Sequence, residues 1–125
     1  MSHFTTIKTQ IKDTEALRSA LAEMGLALIS NATARGYYQN STQGDYVIRL
    51  KGPYDIALQK QPDGSYGLTT DWWGGNVEAE VGKDFGRLLQ LYGVHKAMLE
   101  ARRKGHMVQR RQQTDGSIKL IISVQ

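Results

Sequence analysis

The side chains best suited to chemistry are three histidines, His3, His95 and His106, and there is no cysteine in the 125 residues. Without a thiol, disulfides, thiolate nucleophiles and cysteine-ligated zinc or iron–sulfur centres are excluded. A helical zinc site needs a second ligand one turn from a histidine, but the residues four before and four after His95 are Leu91 and Leu99. Asp84 shares the face of His95, yet at 1.5 Å rise per residue it stands roughly 16 Å away along a helix. A histidine between Tyr92 and Leu99 on an apolar stripe reads as a core-edge residue satisfied by one hydrogen bond. A general base would need a nucleophile beside it, and no serine or threonine lies in a nucleophile elbow.

Phosphate chemistry fares no better. Gly74-Gly75 lacks the Lys-Ser/Thr of a Walker loop, and Gly82 and Gly86 fall inside a helical pattern rather than ahead of it. The carboxylates Glu78, Glu80 and Asp84 gather where they complement the positive end of a helix. The residues therefore predict no catalytic group, no metal site and no cofactor.

Two constellations suit binding. Adjacent residues of an extended segment point to opposite faces, so Trp72 and Trp73 cannot both enter one core unless the chain kinks beneath the long helix. An exposed indole beside Tyr66 and the flexible Gly74-Gly75 would be a rigid amphipathic anchor of the kind enriched in binding hot spots. The second is the basic run Arg102, Arg103, Lys104, His106, Arg110 and Arg111, which could contact phosphates or serve as a solvated edge that discourages strand pairing. Tyr37, Tyr38 or a tryptophan could then stack on bases. Sixteen Lys and Arg against twelve Asp and Glu give a formal charge of +4, which permits a nucleic-acid partner without requiring one.

The elements that must hold these groups follow from periodicity. Thr5, Ile7, Thr9 and Ile11 alternate, predicting a strand over residues 3–11. Asp13 is an N-cap for a helix with Leu17, Ala20, Leu21 and Met24 on one face, ended by Gly25. Leu26–Ile29 reads as a short strand, and 30–44 as a long polar loop or weak hairpin. Strands are predicted at 46–50, 54–58 and 66–70, with turns at Gly52-Pro53 and Pro62-Asp63-Gly64. Val81, Phe85, Leu88, Tyr92, His95 and Leu99 mark one long helix over 77–104. On its other side Gly82, Gly86, Gly93, Ala97 and Ala101 predict close backbone packing. Residues 107–112 and the set Ile118, Leu120, Ile122 and Val124 flank Thr114-Asp115-Gly116 as a hairpin with a core-facing last strand.

The order β-α-β-β-β-β-α-β-β predicts a single α+β domain over residues 1–125, one antiparallel sheet with both helices on one face. No stretch approaches the ~18 apolar residues of a membrane span, and the amino terminus has neither an apolar export core nor a transit-peptide composition. Membrane insertion is not expected.

Four segments give the chain a family likeness: Met1–Thr9, Tyr54–Leu58 running to Asp71-Trp72-Trp73, Leu91-Tyr92-Gly93-Val94-His95-Lys96, and Asp115–Leu120. With them the sequence resembles the hypothetical chloroplast reading frame thirty-five family, uncharacterised proteins of algal plastid genomes and cyanobacteria. The resemblance implies a cyanobacterial cytoplasm or a plastid stroma, and it carries over no catalytic residue. The combined expectation is a non-enzymatic protein-binding, assembly or regulatory module with an unidentified protein partner. The alternative is an RNA- or DNA-binding accessory using residues 102–111.

Overall fold

The structure, a computed structural model, describes residues 3–124; Met1, Ser2 and Gln125, which belong to the ends of the expected domain, lie outside them. The order is β1 (Phe4–Lys8), α1 (Thr14–Glu23), β2 (Ala27–Arg35), β3 (Ser41–Arg49), β4 (Ile56–Lys60), β5 (Tyr66–Asp71), α2 (Asn76–Val81), α3 (Gly86–Arg103), β6 (Met107–Gln112) and β7 (Ile118–Ser123). Strands β1 to β5 form one antiparallel sheet in the order β1-β5-β4-β3-β2. The α+β class and the antiparallel meander are as the sequence predicts. The single sheet is not, because β6 and β7 pair only with each other and form a second, two-stranded sheet.

Helix α1 starts where the Asp13 carboxylate accepts hydrogen bonds from the N–H groups of Glu15 and Ala16 at 3.0 and 3.1 Å, satisfying two amides that have no partner within the helix. It ends at Gly25, whose φ of +73° is the left-handed conformation the stop requires. The face carrying Leu17 and Leu21 is buried against Ile48, Ile56, Leu58 and Leu68 of the sheet and Leu88 and Tyr92 of α3. This is the main core, and both long helices cover the same face.

The opposite face is covered by the protein's own chain. Residues 30–44, expected as a loop or weak hairpin, are mostly strand: β2 and β3 form a long hairpin, and its outer part curls back over the sheet, where Ala34 packs with Val47 and Ala57 in a second buried cluster. The bend is set at Gly44, where a Cβ would lie 2.4 Å from the Tyr46 carbonyl and 3.1 Å from Ala57 Cβ. Small residues are required for two layers of backbone to approach this closely.

Four further expectations need correction. The first strand stops at Lys8 rather than residue 11. The long helix is broken: α2 ends at Gly82 (φ +86°), and Asp84 and Phe85 adopt φ of +53° and +64° before α3 begins. Within the glycine stripe Gly86 and Gly93 do not mark close packing, since a Cβ on either would meet nothing within 4 Å, and the close approach at Gly82 is to Arg87 in the next turn of its own chain. The last strand is only partly covered, with Ile122 45% and Val124 75% exposed. The described residues contain no helix long and apolar enough to cross a membrane.

Candidate functional site

The tip of the β2–β3 hairpin is a two-residue turn in which Asn40 N–H donates to the Tyr37 carbonyl at 3.0 Å. Its central residues, Tyr38 and Gln39, have φ of +49° and +72°. That is the geometry of a type I′ turn, for which Asn-Gly is the unstrained choice. A tyrosine and a glutamine held in the left-handed region cost stability, and such strain is retained where the surrounding structure enforces it, often at functional positions. Here it presents Tyr38 to solvent at 81% exposure.

Two fully buried carboxylates anchor this tip to the sheet. Asp55 accepts from Arg35 Nε and Nη2 at 2.8 Å each, from Arg49 Nη1 at 2.8 Å, and from the backbone N–H groups of Arg35 and Leu50 at 2.9 and 3.2 Å. Its own N–H donates back to the Arg35 carbonyl at 3.0 Å. Burial pushes the Asp55 carboxyl up, but the hydrogen bonds from the Arg35 side chain and backbone and from Leu50, with the Arg35 charge, outweigh it and hold the group below its ordinary value. Asp71 accepts from the Tyr37 and Trp73 N–H groups at 3.0 Å each. One side chain thereby ties the hairpin tip to the turn after β5. Between them Gly36 lies against the Phe4 ring, where a Cβ would come within 2.5 Å of Cζ.

The result is an aromatic corner. Tyr37 and Trp73 meet edge to face, with centroids 5.5 Å apart at 62°, and Tyr38 lies 6.4 Å from Tyr37. Trp73 is 50% exposed and Tyr37 40%. Tyr54 is buried nearby; burial, then the charge of Asp71, pushes its phenol upward.

Of the residues singled out in sequence, Trp73 belongs to this corner and Trp72 does not. The chain is no longer extended at Trp72 (φ −84°, ψ 5°), and its indole packs 4.7 Å from the Phe85 ring at the core margin. Tyr66 is at the far end of β5, about 17 Å away at strand rise, buried and edge to face with Tyr46 at 5.8 Å. It is a core residue and not a neighbour of the exposed indole. The basic run is likewise divided. Arg110 forms a two-pronged pair with Glu23 at 2.8 and 2.9 Å, and Arg103 pairs with Glu15. Arg102, Lys104 and Arg111 are exposed and make no ion pair among the described residues. All belong to the end of α3 and to β6, not to the elements that form the aromatic corner.

The histidine and the carboxylates fall into structural places. His95 Nε2 lies 2.7 Å from Glu23 Oε1, the single hydrogen bond expected of a core-edge imidazole. Glu80, rather than serving a helix end, accepts from the N–H groups of Lys51 and Gly52 at 2.8 and 3.0 Å. Among the described residues no three metal-ligating side chains converge. Asp55 and Arg35 were not foreseen, although a carboxylate inside the apolar run Tyr54–Leu58 was a signal for a buried, paired group.

A model of a family described as a protein of unknown function, DUF1257, matches residues 20–121. The uncharacterized protein ycf35 of Pyropia yezoensis is 32% identical over 126 residues, covering 98% of this chain and 96% of its own. No solved structure matches.

Proposed function

Starting from the premise that the chain belongs to the DUF1257 family, alongside ycf35 of Pyropia yezoensis, we propose that it is a non-enzymatic docking module of a plastid or cyanobacterial process, binding a protein partner through Tyr37, Tyr38 and Trp73. One observation carries this reading: Tyr37, Tyr38 and Trp73 stand exposed on a base of two buried carboxylates, with Tyr38 presented by a hairpin turn held in the left-handed region. Preformed aromatic anchors lose little conformational entropy on binding, which is why Trp and Tyr dominate interface energetics. The complementary surface is an apolar protein patch able to seat the Trp73 indole.

The nucleic-acid alternative has less support. Arg102, Lys104 and Arg111 belong to the end of α3 and to β6, not to the elements of the corner, and the edge-to-face Tyr37–Trp73 pair does not offer parallel platforms for successive bases. The test is affinity capture from the native compartment with the intact chain and with Trp73→Ala and Tyr38→Ala, followed by mass spectrometry. The expected result is a protein partner held by the intact chain and lost from both variants. Unchanged capture removes the reading, and recovery of nuclease-sensitive, salt-sensitive complexes transfers it to nucleic acid.

A further inference from the structure

Strand β7 has one edge paired to β6 and no other strand partner among the described residues. A two-stranded sheet is marginal in water unless it is extended or packed, and an uncharged apolar edge strand is a template for another chain. From Ile118 to Val124 the only charge is Lys119. By contrast β6 carries Arg110 and Arg111 side by side in its middle, so two copies of β6 would bring like charges together.

The burial of β7 is uneven along its length. Ile118, Leu120, Ile122 and Val124 share the face turned toward α3, the face that also holds Arg110 in its pair with Glu23. Ile118 and Leu120 are half-buried there, as is Ile121 on the other face, while Ile122 and, just beyond the strand, Val124 are exposed. Each strand thus has a covered half and an uncovered half. Antiparallel pairing about a two-fold axis at Ile121 sets Leu120 opposite Ile122 of the second copy, Ile118 opposite its Val124, and Lys119 opposite its Ser123. On the face of Leu120 each uncovered residue then lies against a covered one, and on the other face the two lysines are kept apart.

We infer that the β7 edge is a self-association surface, through which two copies of this chain join their terminal hairpins into a four-stranded sheet, β6-β7-β7-β6. The interface is isologous, as a two-fold requires. It is separate from the aromatic corner and stands or falls independently of it.

Sedimentation equilibrium of the intact chain is expected to give a concentration-dependent dimer. Ser123 is exposed and opposes Met107 within its own hairpin, so substitutions there report on the second copy with little effect on folding. Ser123→Lys, set against Lys119 of the second copy, is expected to weaken dimerisation about fivefold or more, and Ser123→Glu to strengthen it by a similar factor, each change acting twice by symmetry. Because the chain lacks cysteine, register can be read by cross-linking. Ile121→Cys alone, and a mixture of Ile118→Cys with Val124→Cys chains, should give covalent dimers with a short bis-maleimide, whereas Ile118→Cys alone should not. A monomer at every concentration, equal effects of Ser123→Lys and Ser123→Glu, or efficient cross-linking of Ile118→Cys alone would each overturn the proposal.

Discussion

Arg35 grips both oxygens of Asp55 with Nε and Nη2 at 2.8 Å, while Asp55 is fully buried and the Arg35 side chain is 47% exposed. The pair is where the curled hairpin is clamped to the sheet, and Arg49 and two backbone amides complete it. Removing the carboxylate leaves the Arg35 and Leu50 N–H groups without an acceptor, at about 1–3 kcal/mol each. Asp55→Ala should therefore lower the free energy of unfolding by about 3–5 kcal/mol in urea titrations. Arg35→Lys keeps the charge but not the fork and should cost about 1–2 kcal/mol. A loss below about 1 kcal/mol for Asp55→Ala would mean that the clamp does not hold the tip.

The strained turn offers a separation of stability from function. Replacing Tyr38-Gln39 by Asn-Gly relieves two residues in the left-handed region and should raise stability by about 1–2 kcal/mol, since Tyr38 loses little contact. The same variant lacks one of the three exposed anchors and should capture partner less well than the intact chain. Thermal unfolding and capture measured on one preparation check both halves. A variant that is less stable would show that the turn is not strained.

How much of this was legible follows from what each segment buries. Asp13 and Gly25 act locally, so the limits of α1 could be read directly. The outer β2–β3 hairpin could not, because it packs through the buried Ala34 and the partly buried Ala32, small residues that approach Val47 and Ala57 closely and look like loop composition in a polar context. The break at Gly82–Phe85 was hidden for the opposite reason: Val81, Phe85 and Leu88 are all fully buried, so the helical spacing of apolar residues continues across a segment that is not helical. At the site, parity left two readings open, one exposed indole or a kink that packs both beneath the long helix; the chain does turn at Trp72, yet Trp73 stays 50% exposed. Tyr37 and Tyr38 join Trp73 only through the long-range fold of the hairpin, and no local pattern encodes that meeting.

The glycines of the broken helix make opposite predictions. Gly93 lies in the middle of α3, exposed, with open space where a Cβ would be. Gly93→Ala should stabilise by up to about 1 kcal/mol. Gly82 has φ +86°, and a Cβ there would lie 2.8 Å from the Arg87 nitrogen. Gly82→Ala should destabilise by about 1–3 kcal/mol and disturb Val81 and Phe85, read as a shift of the urea midpoint. If the two substitutions had the same sign, the chain would be helical through 82–85.

Acid should act first on the fastening of the terminal hairpin. Glu23 closes α1 onto β6 through Arg110 and onto α3 through His95, and these hydrogen bonds, the Arg110 bond the larger, lower its carboxyl from 4.5 to about 2 against a smaller opposing effect of burial. A carboxyl whose value is depressed in the folded chain contributes stability that is fully present above its unfolded value and is lost as pH falls through the folded one. The contribution is therefore intact above about 4.5 and disappears progressively toward pH 2. Because the pair is partly exposed, added salt should reduce it. Hydrogen exchange of the β6 and β7 amides should accelerate over that window relative to β4 and β5, and Glu23→Gln should show the faster exchange already at neutral pH, with a flatter dependence below 4.5. Equal acceleration across both sheets would assign the acid response to Asp55 and the hairpin clamp instead, since its carboxyl is depressed in the same direction.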